Sequence, residues 1–124
     1  MSVVVAVKKG KDVVVAADSL MTFGSNKKYS FVNDQCDEKD SPFGGLDASF
    51  LIVTKKHIFH VSGNMTVTEF LKFHAIGSGC DFAIGAMHVL HEQSLDAGEI
   101  ARRAVEAAIE HNIYCGGEIM LLEP

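Results

Sequence analysis

Two short hydrophobic runs open the chain. Val3–Val7 and Val13–Ala17 are rich in β-branched residues, and the polar segment Lys8–Asp12 between them is typical of a turn. The pattern predicts a β-hairpin. Both runs are apolar at consecutive positions, which is typical of strands that are covered on both faces. We therefore expect the hairpin to lie inside a layered structure.

Further strands follow after a polar interval. The runs that predict them are Ser49–Val53, His57–Val61, Phe70–Ile76 and, at the end of the chain, Glu118–Leu122. Residues 31–45, which separate the hairpin from these runs, are acidic, polar and without periodicity. That composition predicts an exposed or disordered loop, or the place where a segment is missing.

Two helices are predicted between the last two strands. Ser78–Asp81 has the spacing of a capping box in front of a helix over Phe82–His91. Asp96–Glu99 is a second capping box, and the helix Ala97–His111 that it begins has one apolar face. The order of strands, two helices and a strand favours an α+β fold over a doubly wound one. The length of 124 residues predicts a single domain over residues 1–124.

Composition narrows the class of protein. Hydrophobic residues make up 48% and charged residues 22%, as in globular proteins. The net charge of −5 argues against nucleic-acid and anionic-membrane binding, and the short basic run Lys8, Lys9 and Lys11 is typical of a solvated turn. Neither a secretory signal nor a membrane-spanning run is visible, so we predict a cytoplasmic protein. The three cysteines are widely spaced, and no disulfide framework, metal site or cofactor is predicted.

The chain start carries the candidate chemistry. Removal of Met1 would make Ser2 the amino terminus, and a free α-amino group titrates near pH 8, against ~10.4 for a lysine side chain. The amine could then act as the base for the hydroxyl of its own residue. Asp18 lies opposite the chain start in the hairpin and could orient the amine, while Lys27 or Lys28 could lower its pKa. The alternative is that neither residue is catalytic, because serine often follows an initiator methionine and aspartate often follows a strand.

Two separate motifs resemble one family. Ser2–Gly10 and Ala17–Ser25 look like the start of proteasome β-type subunits, and they are closest to the bacterial proteasome-like peptidases among the N-terminal-nucleophile hydrolases. Phe73–Ala86 is similar to that family's strand, Gly-Ser-Gly turn and helix. The resemblance places Ser2 on the family's N-terminal threonine and Asp18 on its catalytic aspartate. It implies stacked antiparallel sheets with helices on the outside, an αββα sandwich.

The resemblance also implies roles for other positions. Thr22 falls on the residue whose backbone pairs with the substrate strand. Ser78 falls on the serine that assists the nucleophile, although its spacing also suits a helix N-cap, and backbone amides near Ser78 and Gly79 would stabilise the oxyanion. The acidic residue that the family carries late in the chain falls at Glu110 or at Asn112.

The chain departs from the family in its middle. Proteasome-type subunits have further strands and a helix pair there, whereas here Val32–Asp34 runs directly into the acidic loop and on to Phe50. One helical layer is therefore predicted to be reduced or missing, and with it the catalytic lysine, for which Lys28 is the nearest substitute. Gly44–Gly45 is the only counterpart we find for the family's substrate-binding glycine loop. An uncovered sheet face would need another subunit or an absent segment to cover it.

The resemblance predicts a cytoplasmic peptidase that assembles into a homo-oligomeric ring. Ser2 would attack peptide bonds of a peptide or unfolded protein, and an ATPase partner is an open expectation. Two alternatives remain: an inactive assembly subunit of the same fold, which a retained Met1 would favour, and a small-amide hydrolase of the same superfamily.

Overall fold

Strands come first along the chain, then two helices, then one strand. The computed structural model describes residues 2–23, 26–29 and 49–124. The elements in these ranges are β1 (Val3–Lys9), β2 (Asp12–Asp18), β3 (Leu20–Phe23), β4 (Asn26–Tyr29), β5 (Phe50–Val53), β6 (Ile58–Val61), β7 (Val67–Phe70), β8 (Phe73–Gly77), α1 (Cys80–Leu90), α2 (Ala97–His111) and β9 (Ile119–Leu122).

The predicted hairpin is the centre of a four-stranded antiparallel sheet. The strand order is β8-β1-β2-β9, so β1 and β2 are both inner strands. Val5 pairs with Ala16 on one side and with Ala75 on the other. The inner strands have no edge and are covered on both faces, which explains why they are apolar at consecutive positions. The double-sided burial predicted from the sequence is confirmed.

Both helices pack on one face of this sheet. The face of α2 that packs on the sheet consists of small and branched residues, all of them buried: Ala97, Ile100, Ala101, Ala104, Val105 and Ala108. Because most of these side chains are alanines, α2 can lie close to the valines of β1 and β2. The start of α2 is capped as predicted, since the Asp96 carboxylate accepts a hydrogen bond from the Glu99 N–H over 2.7 Å.

A three-stranded sheet, β5-β6-β7, covers the other face. Its inward side chains join a small buried cluster formed by Ala6, Val13 and Ile58. Its outward face carries Phe50, Ile52 and Val67, which are 46%, 50% and 61% exposed. No helical layer covers that face within the part of the chain that the structure describes. The α+β fold with two stacked antiparallel sheets and helices on the outside is therefore confirmed.

Two local predictions are wrong. The run Phe70–Ile76 is two strands, because Phe70 pairs with Ile58 in the three-stranded sheet while His74 pairs with Ala6 in the four-stranded one. The chain crosses between layers at residues 71–72 and must turn there. The residue before α1 that acts as its N-cap is Gly79 instead of Ser78, and no side chain caps the helix.

The remaining elements are a short ribbon of β3 and β4, in which Thr22 pairs with Lys27 and Met21 with Lys28 along the backbone. The predicted acidic loop over residues 31–45 lies outside the described residues. No helix in the described ranges has the length and hydrophobicity needed to cross a membrane.

Candidate active site

Asp18 ends β2 beside the start of β1, as the hairpin predicts. One carboxylate oxygen accepts the N–H of Val3 over 2.9 Å, and the other accepts the N–H of Gly116 over 2.8 Å. The side chain is buried. The carboxylate thus holds the peptide that follows Ser2 and joins it to the connection between α2 and β9.

Burial and hydrogen bonding act on Asp18 in opposite directions. Burial raises the pKa of the Asp18 carboxyl above its ordinary value, and the hydrogen bonds from Val3 and Gly116 offset part of this rise. A carboxylate in such surroundings is stabilised when a cation comes close to it. The site therefore favours a positive group near the chain start, and a protonated amine is such a group.

Gly77 brings a tight turn against Ser2. It has a φ of 101°, and a Cβ at this position would lie 2.0 Å from the carbonyl oxygen of Ser2. No side chain fits there, because the atom it would meet is backbone. Gly77 also pairs with Val3 in the register of β1 and β8. The turn that contains Ser78 is thereby set beside the candidate nucleophile.

Ser78 and Gly79 connect this turn to α2. The Ser78 carbonyl accepts a hydrogen bond from the Asn112 side-chain amide over 2.8 Å, and the Ser78 hydroxyl lies 3.9 Å from the Cys115 sulfur. A Cβ on Gly79 would lie 2.7 Å from the same sulfur. Of the two late positions considered in the sequence, Asn112 contacts the turn, whereas the side chain of Glu110 is exposed.

The sequence reasoning missed three contributors to the site. Cys115 is buried next to Ser78, Gly116 donates to Asp18, and the Ser19 hydroxyl accepts the Glu118 N–H over 2.9 Å. Burial, followed by the nearby Asp18 charge, raises the pKa of the Cys115 thiol, so it stays protonated. Gly116 comes close to Asp18 only through tertiary contacts, and no local sequence pattern indicates this.

Several predicted positions are described only in part. Thr22 and Lys28 lie on the β3–β4 ribbon, where the structure gives the backbone pairing alone. Gly44–Gly45 lies outside the described residues. Within the described ranges, no three His, Cys, Asp or Glu side chains are arranged to hold a metal ion.

Sequence comparison points to one group of proteins. The chain is 39% identical over 84 residues to the "ATP-dependent protease subunit HslV" of Petrotoga mobilis, an alignment that covers 66% of this chain and 48% of that protein. It is 27% identical to the protein of the same name from Caldicellulosiruptor saccharolyticus, with 97% of this chain and 96% of that protein aligned. No family model matches the chain.

Solved structures give the same result for the fold. The chain superposes on "Thiobacillus denitrificans BPH in complex with Epoxomicin" with a TM-score of 0.84 at 24% identity, covering 98% of this chain and 97% of that one. The eukaryotic HslV of Trypanosoma brucei gives a TM-score of 0.76 at 20% identity, covering 98% and 99%. The chain therefore has the fold of the proteasome-type N-terminal-nucleophile hydrolases, and its sequence is similar to HslV protease subunits. The resemblance in its two motifs is thus confirmed.

The chain is shorter than these relatives. It spans about half the length of the Petrotoga mobilis protein. Its alignment with the Caldicellulosiruptor saccharolyticus protein extends over 169 positions although the chain has 124 residues, so several dozen positions face gaps. The gaps agree with the helical layer that is missing from the described fold.

Proposed function

We propose that this chain is a proteasome-like peptidase that cleaves peptide bonds with Ser2 as its nucleophile after removal of Met1. One observation carries the proposal. The buried carboxylate of Asp18 binds the N–H of Val3, the residue next to Ser2, over 2.9 Å. Asp18 is thus fixed beside the chain start, where an amino-terminal amine would complement its charge.

The proposed reaction has two steps. The Ser2 hydroxyl oxygen attacks the peptide carbonyl carbon, and the amine of Ser2 takes the hydroxyl proton. Collapse of the tetrahedral intermediate breaks the C–N bond, and the leaving amine takes that proton. The resulting ester is attacked by water, which transfers one proton back through the amine to the Ser2 oxygen and releases the acyl fragment as an acid. Backbone amides near Ser78 and Gly79 would stabilise the oxyanion.

Four other residues would act on this centre. Asp18 orients the ammonium form of the amine and stabilises its charge. Lys28, on the ribbon next to the hairpin, would lower the pKa of the amine by like-charge repulsion. The backbone of Thr22 would pair with an extended substrate. Asn112, by holding the Ser78 carbonyl, keeps the turn in position.

A cytoplasmic homo-oligomeric ring with an ATPase partner is the assembly we propose. The relatives are described as subunits of an ATP-dependent protease, which supports both a multi-subunit form and a partner that uses ATP. Unfolded proteins or peptides would be the substrates.

Replacement of Ser2 tests the catalytic proposal. Ser2→Ala should abolish hydrolysis of a peptide substrate without changing the free energy of unfolding by more than about 1 kcal/mol, because Ser2 is only half-buried. Ser62→Ala, on the turn between β6 and β7, is the matched control and should keep full turnover. Equal turnover by the Ser2→Ala variant would refute the mechanism.

The second candidate function is an inactive assembly subunit of the same fold. It is favoured by the missing helical layer, because several dozen positions of the full-length alignment face gaps. A chain that keeps Met1, shows no hydrolysis and still enters a ring would support this alternative. Hydrolysis of small amides but not of peptides would instead indicate the amide-hydrolase alternative.

A further inference from the structure

Three turns meet at the end of the molecule that lies opposite Ser2. They connect β1 to β2, β5 to β6 and β7 to β8. The ammonium of Lys8 donates to the Lys56 carbonyl over 2.7 Å, and the Lys8 N–H donates to the Lys72 carbonyl over 2.7 Å. We call this surface the lysine end, and its cations are Lys8, Lys9, Lys11, Lys55, Lys56 and Lys72.

The lysine end concentrates the positive charge of an acidic chain. It holds six of the eleven Lys and Arg residues although the net charge of the chain is −5. Lys11, Lys55, Lys56 and Lys72 are exposed. Among the described residues, no carboxylate lies within ion-pair distance of any of the six. Asp12, Glu69 and Glu92 belong to neighbouring segments, and the Glu69 carboxylate binds His57 over 2.7 Å.

The backbone under these lysines is held in place. The Thr54 hydroxyl accepts the N–H of His57 over 3.0 Å, and the Thr54 N–H donates to the His57 carbonyl over 2.9 Å. The His91 ring contacts the Lys8 carbonyl over 2.8 Å, which joins the end of α1 to the hairpin. The ammonium groups of Lys8 and Lys9 donate to the backbone carbonyls of Lys56 and Gln93, respectively. The four exposed lysines therefore project from a rigid frame, and their ordering on binding costs less than it would on a free loop.

We propose that the lysine end binds an acidic segment of a protein partner. Leu71 is 75% exposed between β7 and β8 and adds an apolar contact beside Lys72, which suits a peptide with a hydrophobic residue among carboxylates. Nucleic acid fits less well. All six cations are lysines, without the arginine fork that binds phosphate bidentately, and a long polyanion would also meet the negative charge of the rest of the chain.

The binding site is separate from the catalytic centre. β1 runs from Val3 at the site to Lys9 at the lysine end, and its seven residues span about 23 Å. A partner on the lysine end would therefore leave Ser2 and Asp18 accessible. Binding can be measured whether or not the chain hydrolyses peptides, so failure of one proposal does not affect the other.

A labelled peptide tests this inference. The probe is a glutamate-rich peptide with one central leucine, and the control peptide has glutamine in place of each glutamate. Fluorescence anisotropy with the full chain should show binding of the first peptide only, weakened by added salt. The double variant Lys55→Gln/Lys72→Gln should bind the probe about three- to tenfold more weakly, since each exposed ion pair contributes up to ~1 kcal/mol.

Matched variants and competitors complete the test. Asn64→Asp/Thr66→Asp lowers the net charge by the same amount on the turn between β6 and β7 and should leave probe binding unchanged. An equal loss of probe binding in both double variants would overturn the proposal, because it would show that only the net charge of the chain matters. A single-stranded oligonucleotide that binds as tightly as the peptide would also overturn it, as would lysine-dependent self-association of the chain without any probe.

Discussion

The four-stranded sheet is covered by two different layers, the helices on one face and a three-stranded sheet on the other. The two layers differ in how much hydrophobic surface they leave exposed to solvent. On the helix side, α1 and α2 enclose a large cluster of buried residues, and α2 presents a polar surface to solvent. On the sheet side, β5, β6 and β7 cover a cluster of three buried residues and present an apolar face. The difference shows which layers of the predicted αββα sandwich are present in the described residues.

The contacts of the candidate site lie on the helix side of the four-stranded sheet. Gly77, which leads into α1, lies against the Ser2 carbonyl. Asn112 and Gly116 follow α2 and contact the Ser78 carbonyl and the Asp18 carboxylate. The helical layer that the described residues lack would cover the sheet side. Its absence there leaves the Asp18 contacts in place, while hydrophobic surface is exposed on the three-stranded sheet.

The largest expected effect is at Gly77, on the helix side. Gly77→Ala should abolish activity and destabilise the fold by more than about 3 kcal/mol, since the added Cβ would lie 2.0 Å from the Ser2 carbonyl oxygen at a φ of 101°. Gly85→Ala is the matched control, because its Cβ would have open space on α1, and it should stabilise by about 1 kcal/mol. Urea unfolding of both variants measures the change in the free energy of unfolding. A Gly77→Ala variant as stable as the original chain would contradict the close contact between residue 77 and the Ser2 carbonyl.

The second prediction compares one alanine substitution in each of the two buried clusters. Ile100 and Ile58 are both fully buried, one under each layer. Replacing either by alanine should cost about 2–5 kcal/mol in the free energy of unfolding, with the larger cost at Ile100. The small cluster around Ile58 can relax into the cavity that the substitution leaves, because few buried residues surround it. Ile100 is surrounded by a larger buried cluster, which can relax less. A greater cost at Ile58, measured by urea unfolding, would show that the sheet side is the better packed of the two.

A smaller effect concerns two histidines between the sheets. His74 lies under the Phe70 ring, with ring centroids 3.7 Å apart, and its Nε2 is 3.1 Å from Nδ1 of His60. Burial, followed by the charge of His60, lowers the pKa of His74. The unfolded chain therefore binds a proton more readily, so stability should fall as the pH drops below ~6.5. His74→Gln should reduce this slope in urea unfolding at several pH values, and His88→Gln, exposed on α1, should not.

The smallest effect is on the outer surface of the helical layer. Arg103 pairs with Glu99 over 2.8 Å, and both side chains are partly exposed. Arg103→Ala should change the free energy of unfolding by less than about 0.5 kcal/mol. A cost of several kcal/mol, measured in the same urea experiment, would mean that this surface is buried by another subunit in solution.

Local sequence pattern was sufficient to predict much of the fold. The hairpin, the cap of α2 and the apolar face of α2 follow from periodicity and residue type, and the structure confirms them. The break between β7 and β8 could not be predicted, because Leu71 and Lys72 are ordinary strand residues and only the crossing between layers requires a turn there.

The site was partly predictable for a similar reason. Asp18 follows from the hairpin register, whereas Cys115 and Gly116 reach it through the packing of α2 and β9, more than ninety residues later in the chain. Ser78 has the spacing of an N-cap, but Gly79 occupies that position. A contact between distant segments leaves no local pattern in the sequence, so these residues could be found only in the folded chain.

The most direct test of the central claim is the intact mass of the protein before and after incubation with epoxomicin, the compound that the Thiobacillus denitrificans structure is described as containing. The account predicts a chain that has lost Met1 and gains one adduct, which peptide mapping places on Ser2 and which Ser2→Ala prevents. A chain that retains Met1, or an adduct that persists in the Ser2→Ala variant, would contradict it.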